Sequence, residues 1–350
     1  MAYTTIKKPS LHFNTKLYTG NGADNHAITG VGFAPDLVWQ KRRDGSNGHV
    51  LFDKVRGATK IIQSDGSSAE ITSTSGKDTV SLDSDGFTVA VPHQVGGINA
   101  NSSSCVAWNW KANGSGSSNT DGSINTTSTS VNTTAGFSIS KWTATGSAST
   151  IGHGLGAIPH VMIVKRVDGA SDFIVYHHKN TSDPETDFLR LNTNVATQDN
   201  NTIWNDTAPT SSVFSIGTEF GNGYNYITYC FTEKVGYSKF GSYNGNGNVD
   251  GNFVYTGFKP AFVLGKRTDS AGGWWISDNK RSGGFNLNDE YLLADDSQAE
   301  ADDGSFASDF LSNGFKCRAD NGNFNTNGGT YIYMAFASEP LVGDNPATAR

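Results

Sequence analysis

Short runs of alternating apolar and polar residues, separated by turn residues, recur along this chain. Residues 37–42 alternate as residues of a β-strand do, and residues 161–164 are apolar on both faces, which suits a strand inside a sandwich. Asp-Gly pairs at 44–45 and 168–169 supply turn chemistry. No stretch of twelve or more residues keeps a helical period, and residues 292–301 read as one helical turn or an acidic loop. The pattern predicts an all-β chain of antiparallel sandwiches.

The same phrase occurs three times. Gly-Phe-Ala-Pro-Asp-Leu-Val-Trp-Gln-Lys-Arg-Arg-Asp at 32–44 returns in related form at 156–168 and 257–269. The closing phrases at 105–111, 226–232 and 331–337 also match one another. A repeat of about 100 residues exceeds a solenoid unit and has the length of a small domain. We therefore predict three tandem antiparallel β-sandwich domains related by internal repeats, at 11–112, 136–235 and 236–340.

The segments outside these repeats read as connectors. Residues 113–135 are almost wholly Gly, Ser, Asn and Thr, a linker composition that as a flexible coil spans about 25 to 30 Å. This predicts a first repeat set apart from the other two, whose junction near 235–250 carries aromatic residues that can pack. Residues 1–10 are expected to form an N-terminal arm and residues 341–350 a C-terminal tail.

Composition narrows the class of protein. The chain has 350 residues, 36% hydrophobic and 17% charged, with enough aromatic residues to build cores. A net charge of −7 opposes a nucleic-acid footprint, so no nucleic acid is expected as a partner. No run of 18 apolar residues is present, which argues against membrane insertion, and the start lacks an apolar signal core. Synthesis in a cytoplasm without export by the usual route is the expectation.

Candidate chemistry is sparse. The Lys-Arg-x-Asp phrases at 41–44, 165–168 and 266–269 are read as solvated charge clusters at strand ends. Cys105, Cys230 and Cys317 lack zinc spacing and are expected to be buried free thiols. The histidines of the second repeat need a convergence that sequence does not show. Acidic residues between Asp295 and Asp303 lack EF-hand spacing, so a solvated loop is favoured over a calcium site.

The sequence therefore predicts no catalytic, cofactor-binding or metal-binding residues. Trp274 and Trp275 are the candidates for stacking on glycans, because neighbouring strand residues face opposite ways and one of the two is expected to be exposed. A carboxylate pair for glycosidic cleavage stays open, because such pairs are recognised by distance and not by sequence.

Several phrases together carry a family resemblance. They stand at 16–22, 84–87, 106–112, 152–156, 236–243 and 253–260, the last reading Phe-Val-Tyr-Thr-Gly-Phe-Lys-Pro. With them, residues 1–340 resemble the tail-fibre-like repeat-domain structural proteins of marine tailed bacteriophages. The resemblance implies a virion component, at the tail and concerned with host attachment, made in the bacterial host cytoplasm. It carries no assigned site residues.

The leading interpretation is a non-enzymatic tail fibre or receptor-binding appendage. Its expected partners are other virion proteins, further copies of itself (a trimer by analogy) and a host cell-surface glycan or protein. The alternatives are a capsid decoration or fibre-adaptor protein and a tail-associated polysaccharide-degrading enzyme. Residues 1–112 are expected to dock to the virion and residues 136–340 to form the host-facing part, since the predicted linker separates them.

Overall fold

The computed structural model describes residues 4–73, 78–91, 95–343 and 346–347. Within them the chain is almost entirely β-structure, interrupted by a 3₁₀ turn at Pro9–Leu11 and one short helix, α1, at Asn201–Trp204. All sheet pairings between named strands are antiparallel in this part of the chain. The all-β prediction is confirmed. No helix in the described residues is long and apolar enough to cross a membrane.

The described residues of the first repeat form nine strands in two sheets. They are β1 (Phe13–Thr19), β2 (His26–Thr29), β3 (Leu37–Arg42), β4 (Val50–Asp53), β5 (Gly57–Ile62), β6 (Ile71–Thr72), β7 (Asp78–Asp83), β8 (Gly86–Ala90) and β9 (Ser104–Trp110). The large sheet has the order β1-β9-β3-β4-β5-β6 and the small sheet the order β2-β8-β7.

The second repeat, with the segment before it, contains strands β10 to β18. They are β10 (Ser128–Asn132), β11 (Phe137–Thr143), β12 (Ser149–Gly152), β13 (Val161–Arg166), β14 (Phe173–His177), β15 (Asp187–Arg190), β16 (Gln198–Asp199), β17 (Val213–Ile216) and β18 (Asn225–Phe231). The large sheet is β10-β11-β18-β13-β14-β15-β16, and β12 pairs with β17.

The third repeat contains strands β19 to β26. They are β19 (Ser238–Asn244), β20 (Phe253–Tyr255), β21 (Phe258–Arg267), β22 (Trp275–Asp278), β23 (Leu292–Leu293), β24 (Ser308–Leu311), β25 (Gly314–Cys317) and β26 (Thr330–Pro340). The large sheet is β19-β26-β21-β22-β23 and the small one is β20-β25-β24.

The repeated phrases form equivalent strands in identical register. Leu37 of β3 pairs with Trp110 of β9, and Val161 of β13 pairs with Phe231 of β18. Phe262 of β21 pairs in the same way with Phe336 of β26. The alternation that defines these strands therefore sends equivalent side chains to the same face of each large sheet.

Each large sheet is covered on both faces. One face packs on the small sheet of its own repeat, as Val38 and Phe52 do with Phe87 in the first repeat. The opposite face contributes to a single apolar cluster that contains residues of all three repeats. Burial on both faces explains why residues 161–164 are apolar throughout.

The centre of this shared cluster is a triangle of equivalent aromatic residues. The ring centroids of Trp110 and Phe231 lie 6.5 Å apart, those of Phe231 and Phe336 5.9 Å, and those of Trp110 and Phe336 5.7 Å. Three independent sandwich domains would bury each of these rings in a core of its own repeat, but the three rings meet one another instead. The three large sheets thus surround an approximate three-fold axis that passes through one chain.

The predicted linker is not a free coil. Residues 128–132 form β10, which adds to the edge of the second large sheet through β11. Ile124 is 8% exposed and joins the apolar cluster between the two sheets of that repeat. The polar composition of this segment gives no sign of a strand. Its Ser and Thr hydroxyl groups form hydrogen bonds with nearby partners, as those of Thr126 and Thr129 do with each other at 2.8 Å.

The described part of the predicted arm is also packed. Ile6 is buried in the shared cluster, and Thr4 is buried with its hydroxyl hydrogen-bonded to the backbone of Ile6. Residues 1–3 of the arm, and residues 344–345 and 348–350 of the predicted tail, lie outside the described residues.

Candidate functional site

The Arg and Asp residues of the Lys-Arg-x-Asp phrases make stabilising contacts within each repeat. The Arg and Asp of each phrase form an ion pair two residues apart, with nitrogen–oxygen distances of 2.6, 2.7 and 2.9 Å in the three repeats. The same Asp side chains accept backbone N–H groups at the start of the closing strand, from Ser104, Asn225 and Thr330. The turn aspartates therefore fasten β3, β13 and β21 to their central neighbours.

The lysine of each phrase is not solvated, contrary to the expectation from sequence. Lys41, Lys165 and Lys266 are fully buried in the described structure, and burial lowers the pKa of each to about 8. Their ammonium groups are satisfied by backbone carbonyls. Two of those carbonyls belong to the preceding repeat: Lys165 donates to Ser67 and Lys266 donates to Asn194, both at 3.2 Å. These lysines therefore join neighbouring repeats.

A ring of backbone hydrogen bonds joins all three repeats. The Glu70 N–H of the first repeat donates to the Val167 carbonyl of the second at 2.9 Å, and Thr197 N–H of the second donates to Thr268 of the third at 3.0 Å. Glu300 N–H of the third donates back to Arg43 of the first at 2.8 Å. The three acceptors hold the same position of the Lys-Arg-x-Asp phrase, so the ring closes on itself as cyclic symmetry requires.

Buried side chains repeat the same cycle. The Tyr229 hydroxyl of the second repeat donates to Asp53 of the first at 2.7 Å, and Asp53 is also paired with buried Arg56. In the equivalent place Trp108 of the first repeat donates its indole N–H to Asp278 of the third at 3.0 Å.

Asp278 remains ionised in this buried place. Burial by itself raises its pKa, but the Arg281 guanidinium and the Trp108 N–H hold that pKa below the usual value. A buried charge tolerates this position only because it is paired in this way.

The third interface has different residues at the same positions. Met334 stands where Trp108 and Tyr229 stand, and it has no N–H or O–H to donate. The residue facing it is His177 in place of aspartate, and its Nε2 donates to the Tyr333 carbonyl at 3.2 Å while its Nδ1 accepts Lys179 N–H at 3.1 Å. Burial lowers the pKa of His177 to about 3, so the ring is neutral. Neutral His177 thus occupies the position at which a carboxylate would face Met334 and find no side-chain donor.

The other candidate groups are also structural. His160 and His178 lie with ring centroids 4.5 Å apart, and His178 bonds the Phe240 carbonyl at 2.6 Å. In the acidic segment, Glu300 pairs with Arg43 and Arg281. The three cysteines are buried and free. The described residues contain no group of three or more His, Cys, Asp or Glu side chains placed to hold a metal ion.

Trp274 and Trp275 are both buried, which overturns the prediction that one of them is exposed. Trp274 lies in the shared cluster and donates its indole N–H to the Arg190 carbonyl of the second repeat at 2.8 Å. Trp275 packs between the two sheets of the third repeat, against Phe324. They do face opposite ways, but both faces of the sheet are covered. Neither ring is presented to a glycan.

Exposed aromatic residues stand on β20 instead. Phe253 and Tyr255 are 45% and 56% exposed, on either side of buried Val254. β20 is an edge strand of its small sheet. A cavity of about 310 Å³ lies beside it, lined by Tyr255, Thr256 and Gly257 on one side and by residues from Glu233 to Lys239 on the other. The Phe-Val-Tyr alternation was visible in the sequence, but which face was buried was not.

One family model matches residues 8–340, and its description is a domain of unknown function, DUF7483. No curated protein matches the chain. No solved structure matches it either. The match runs through all three repeats, from the 3₁₀ turn to the end of β26. The chain therefore belongs to the DUF7483 family.

Proposed function

We propose that this protein is a non-enzymatic structural component of a bacteriophage virion, most specifically a tail fibre or receptor-binding appendage for host attachment. The observation that carries the proposal is the closure of three related sheets around one axis. The shared aromatic triangle and the ring of equivalent hydrogen bonds make one rigid body from three copies of one fold.

The surface of that body supports an attachment role. The equivalent small-sheet strands share an apolar inner residue but differ in their outward residues, which are Ala27 and Thr29 in β2 but Phe253 and Tyr255 in β20. One scaffold thus presents related surfaces with different chemistry. The phrase-level resemblance to tail-fibre-like proteins supplies the virion setting. Further copies assembling as trimers, by analogy with tail fibres, belong to the same proposal.

Two measurements test this proposal. Gold-labelled antibody against the full chain is applied to intact phage particles, and label at the tail is expected. The full-length chain, coupled to beads so that weak contacts add, is expected to bind host cells and to slow phage adsorption. Separate fragments 1–112 and 136–340 are unsuitable, because they divide the shared cluster.

Different outcomes select the alternatives. Label on the capsid, with no cell binding by the beads, would assign the chain to capsid decoration. Release of reducing sugar from host polysaccharide by the purified chain would make it an enzyme and overturn the proposal.

A further inference from the structure

The three small sheets begin with equivalent strands. Ile28 of β2 pairs with Phe87, Ile151 of β12 with Phe214, and Val254 of β20 with Phe315. Each strand lies at the edge of its small sheet. The internal repeat therefore provides three versions of one edge, and a feature present in only one version is not required by the fold.

In the second repeat this edge is already covered by an extended segment. Ile124 forms a parallel bridge with Ile151, and its N–H donates to the Thr150 carbonyl at 3.1 Å. Ser123 and Thr150 exchange two further hydrogen bonds, each 2.8 Å long. The segment lies so close that a Cβ added to Gly152 would fall 1.7 Å from Asn119 Oδ1. A passing segment thus pairs with the edge of β12 through a parallel bridge.

In the third repeat the same edge bears two aromatic residues. Phe253 and Tyr255 stand where Thr150 and Gly152 stand in the second repeat and where Ala27 and Thr29 stand in the first. Since the fold forms with small residues at these places, it does not require the aromatic rings. Both rings are exposed on an edge strand. Natural proteins usually cover or charge such an edge unless it binds another molecule.

The backbone of β20 offers the groups that a new strand needs. The Asn252 carbonyl accepts Cys317 N–H and the Thr256 N–H donates to Asn313, so these residues turn inward to β25. Alternation then turns the N–H and C=O of Phe253 and the N–H of Tyr255 away from β25, while the Tyr255 carbonyl accepts the Tyr333 hydroxyl at 3.4 Å. The Phe253 carbonyl is the equivalent of the Thr150 carbonyl that accepts Ile124 N–H.

The neighbouring edge of the large sheet is closed. Phe240 of β19 donates its N–H to Glu233 at 2.8 Å, and its carbonyl is bonded to His178. The cavity between the two edges is flanked by Val235, which is 66% exposed, and by Gly257. In the second repeat the Val131 side chain of β10 lies against Gly154, the equivalent of Gly257. This cavity therefore suits an apolar side chain of the arriving segment.

We propose that the outer edge of β20 binds an extended segment of a partner protein by parallel strand addition, as residues 123–124 bind β12 within this chain. The central residue of the segment donates its N–H to Phe253 C=O and accepts Tyr255 N–H, so that it brackets Val254. It is a β-branched apolar residue, the type that Ile124 is, flanked by small polar residues. Main-chain bonds supply the affinity and the cavity supplies the specificity. The inference holds whether or not the partner belongs to a virion.

The test uses the full chain and a labelled synthetic peptide with the sequence of residues 121–132. This peptide contains Ile124 and Val131 but omits Asn119, whose side chain occupies the place of Tyr255. Fluorescence anisotropy is expected to show saturable binding with a Kd of about 1 mM or tighter. Amide exchange at residues 253–255 is expected to slow when the peptide is bound. A peptide with Ile124→Asp is expected not to bind.

Three variants of the chain distinguish the contribution of the β20 backbone to peptide binding from that of the Tyr255 ring. Tyr255→Pro removes the outward N–H, which an edge strand tolerates, and should weaken binding about ten-fold or more. Tyr255→Ala keeps that N–H and should weaken binding less. Thr29→Pro, the equivalent change in the first repeat, should leave binding unchanged.

Several results would overturn the proposal. They are no saturable binding near the stated concentration, equal losses in Tyr255→Pro and Tyr255→Ala, a loss in Thr29→Pro, and binding of host-surface oligosaccharides that Tyr255→Ala abolishes. Dimerisation of the free chain that Tyr255→Pro prevents would assign the edge to a second copy and would also overturn it.

Discussion

At the scale of single residues, each interface between two repeats depends on whether a buried hydrogen-bond donor of one repeat lies next to an acceptor of the other. Tyr229 and Trp108 each bring one polar hydrogen to a buried carboxylate, whereas Met334 brings none and faces His177. Donor and acceptor lie in different repeats, far apart in sequence. The carboxylates Asp53 and Asp278 hold equivalent positions, opposite Leu37 and Phe262 in the paired strands. Their partners became visible only when the sheets were packed.

Removing the Tyr229 hydroxyl is the sharpest test of this pairing. Tyr229→Phe is expected to lower the free energy of unfolding by about 1 to 3 kcal/mol, because a buried carboxylate loses a hydrogen bond. Urea denaturation followed by fluorescence measures the change. The matched control, Met334→Leu at the equivalent position, removes no donor and should cost less than about 1.5 kcal/mol. Equal losses in the two variants would contradict the assignment.

Stability is expected to fall in mildly acidic solution. Burial lowers the pKa of His177 to about 3 and also lowers that of His49, whereas the unfolded value is about 6.5. As pH falls, the unfolded chain therefore binds the proton first. The contribution of each histidine is fully present above about pH 6.5 and declines as pH falls toward its folded value.

The variant His177→Gln keeps a donor at the Nε2 position but does not titrate. Between pH 7 and pH 5 its melting temperature should fall less than that of the wild type. Thermal unfolding by circular dichroism measures both slopes, and parallel slopes would show that His177 does not contribute.

At the scale of elements, a low-complexity segment proved to be part of the fold. The sequence between the first two repeats is rich in Gly and Ser, yet it contributes β10 and the residues that cover β12. The composition correctly indicated a polar segment, but it wrongly predicted a free coil. A segment can pair through its backbone with the edge of an existing sheet without having an alternating apolar pattern. One apolar residue, Ile124, anchors it.

Truncating Ile124 tests whether this segment is structural. Ile124→Ala is expected to cost about 2 kcal/mol or more, the lower end of the range for buried isoleucine. Val249→Ala is the control, since Val249 is 58% exposed in the third repeat and should change stability by less than about 0.5 kcal/mol. If Ile124→Ala is equally silent in a chemical denaturation experiment, the segment behaves as the free coil that its composition predicted.

At the scale of the whole molecule, the three repeats share the apolar cluster around the axis. Separate tandem domains would each unfold in a transition of their own. A common cluster and a closed ring of interfaces instead predict one cooperative transition for the full chain, with calorimetric and van't Hoff enthalpies in agreement. Fragment 1–112 is expected to lack native near-ultraviolet circular dichroism. Three resolved transitions, or a folded fragment, would contradict the shared core.

Coupling between repeats follows from the same geometry. Phe231→Ala and Phe336→Ala are each expected to cost about 3 to 5 kcal/mol, the usual range for a buried phenylalanine. Since their rings are in contact across two repeats, the double variant should depart from additivity by about 0.5 to 3 kcal/mol. A double-mutant cycle in urea measures this term, and strict additivity would place the two rings in independent cores.

The sequence by itself determined the strand content, the three-fold repetition and the equivalence of β3, β13 and β21, because alternation and turn residues act over a few positions. It did not determine that Trp274 and Trp275 are both buried, that Lys41 is buried, or that Trp110, Phe231 and Phe336 meet. These depend on which sheet faces are covered, and that is decided by packing between segments more than 100 residues apart. The open edge of β20 belongs to the same class: Phe253 and Tyr255 are patterned like core residues, and only the absence of a covering segment like the one on β12 leaves them at the surface of the described structure.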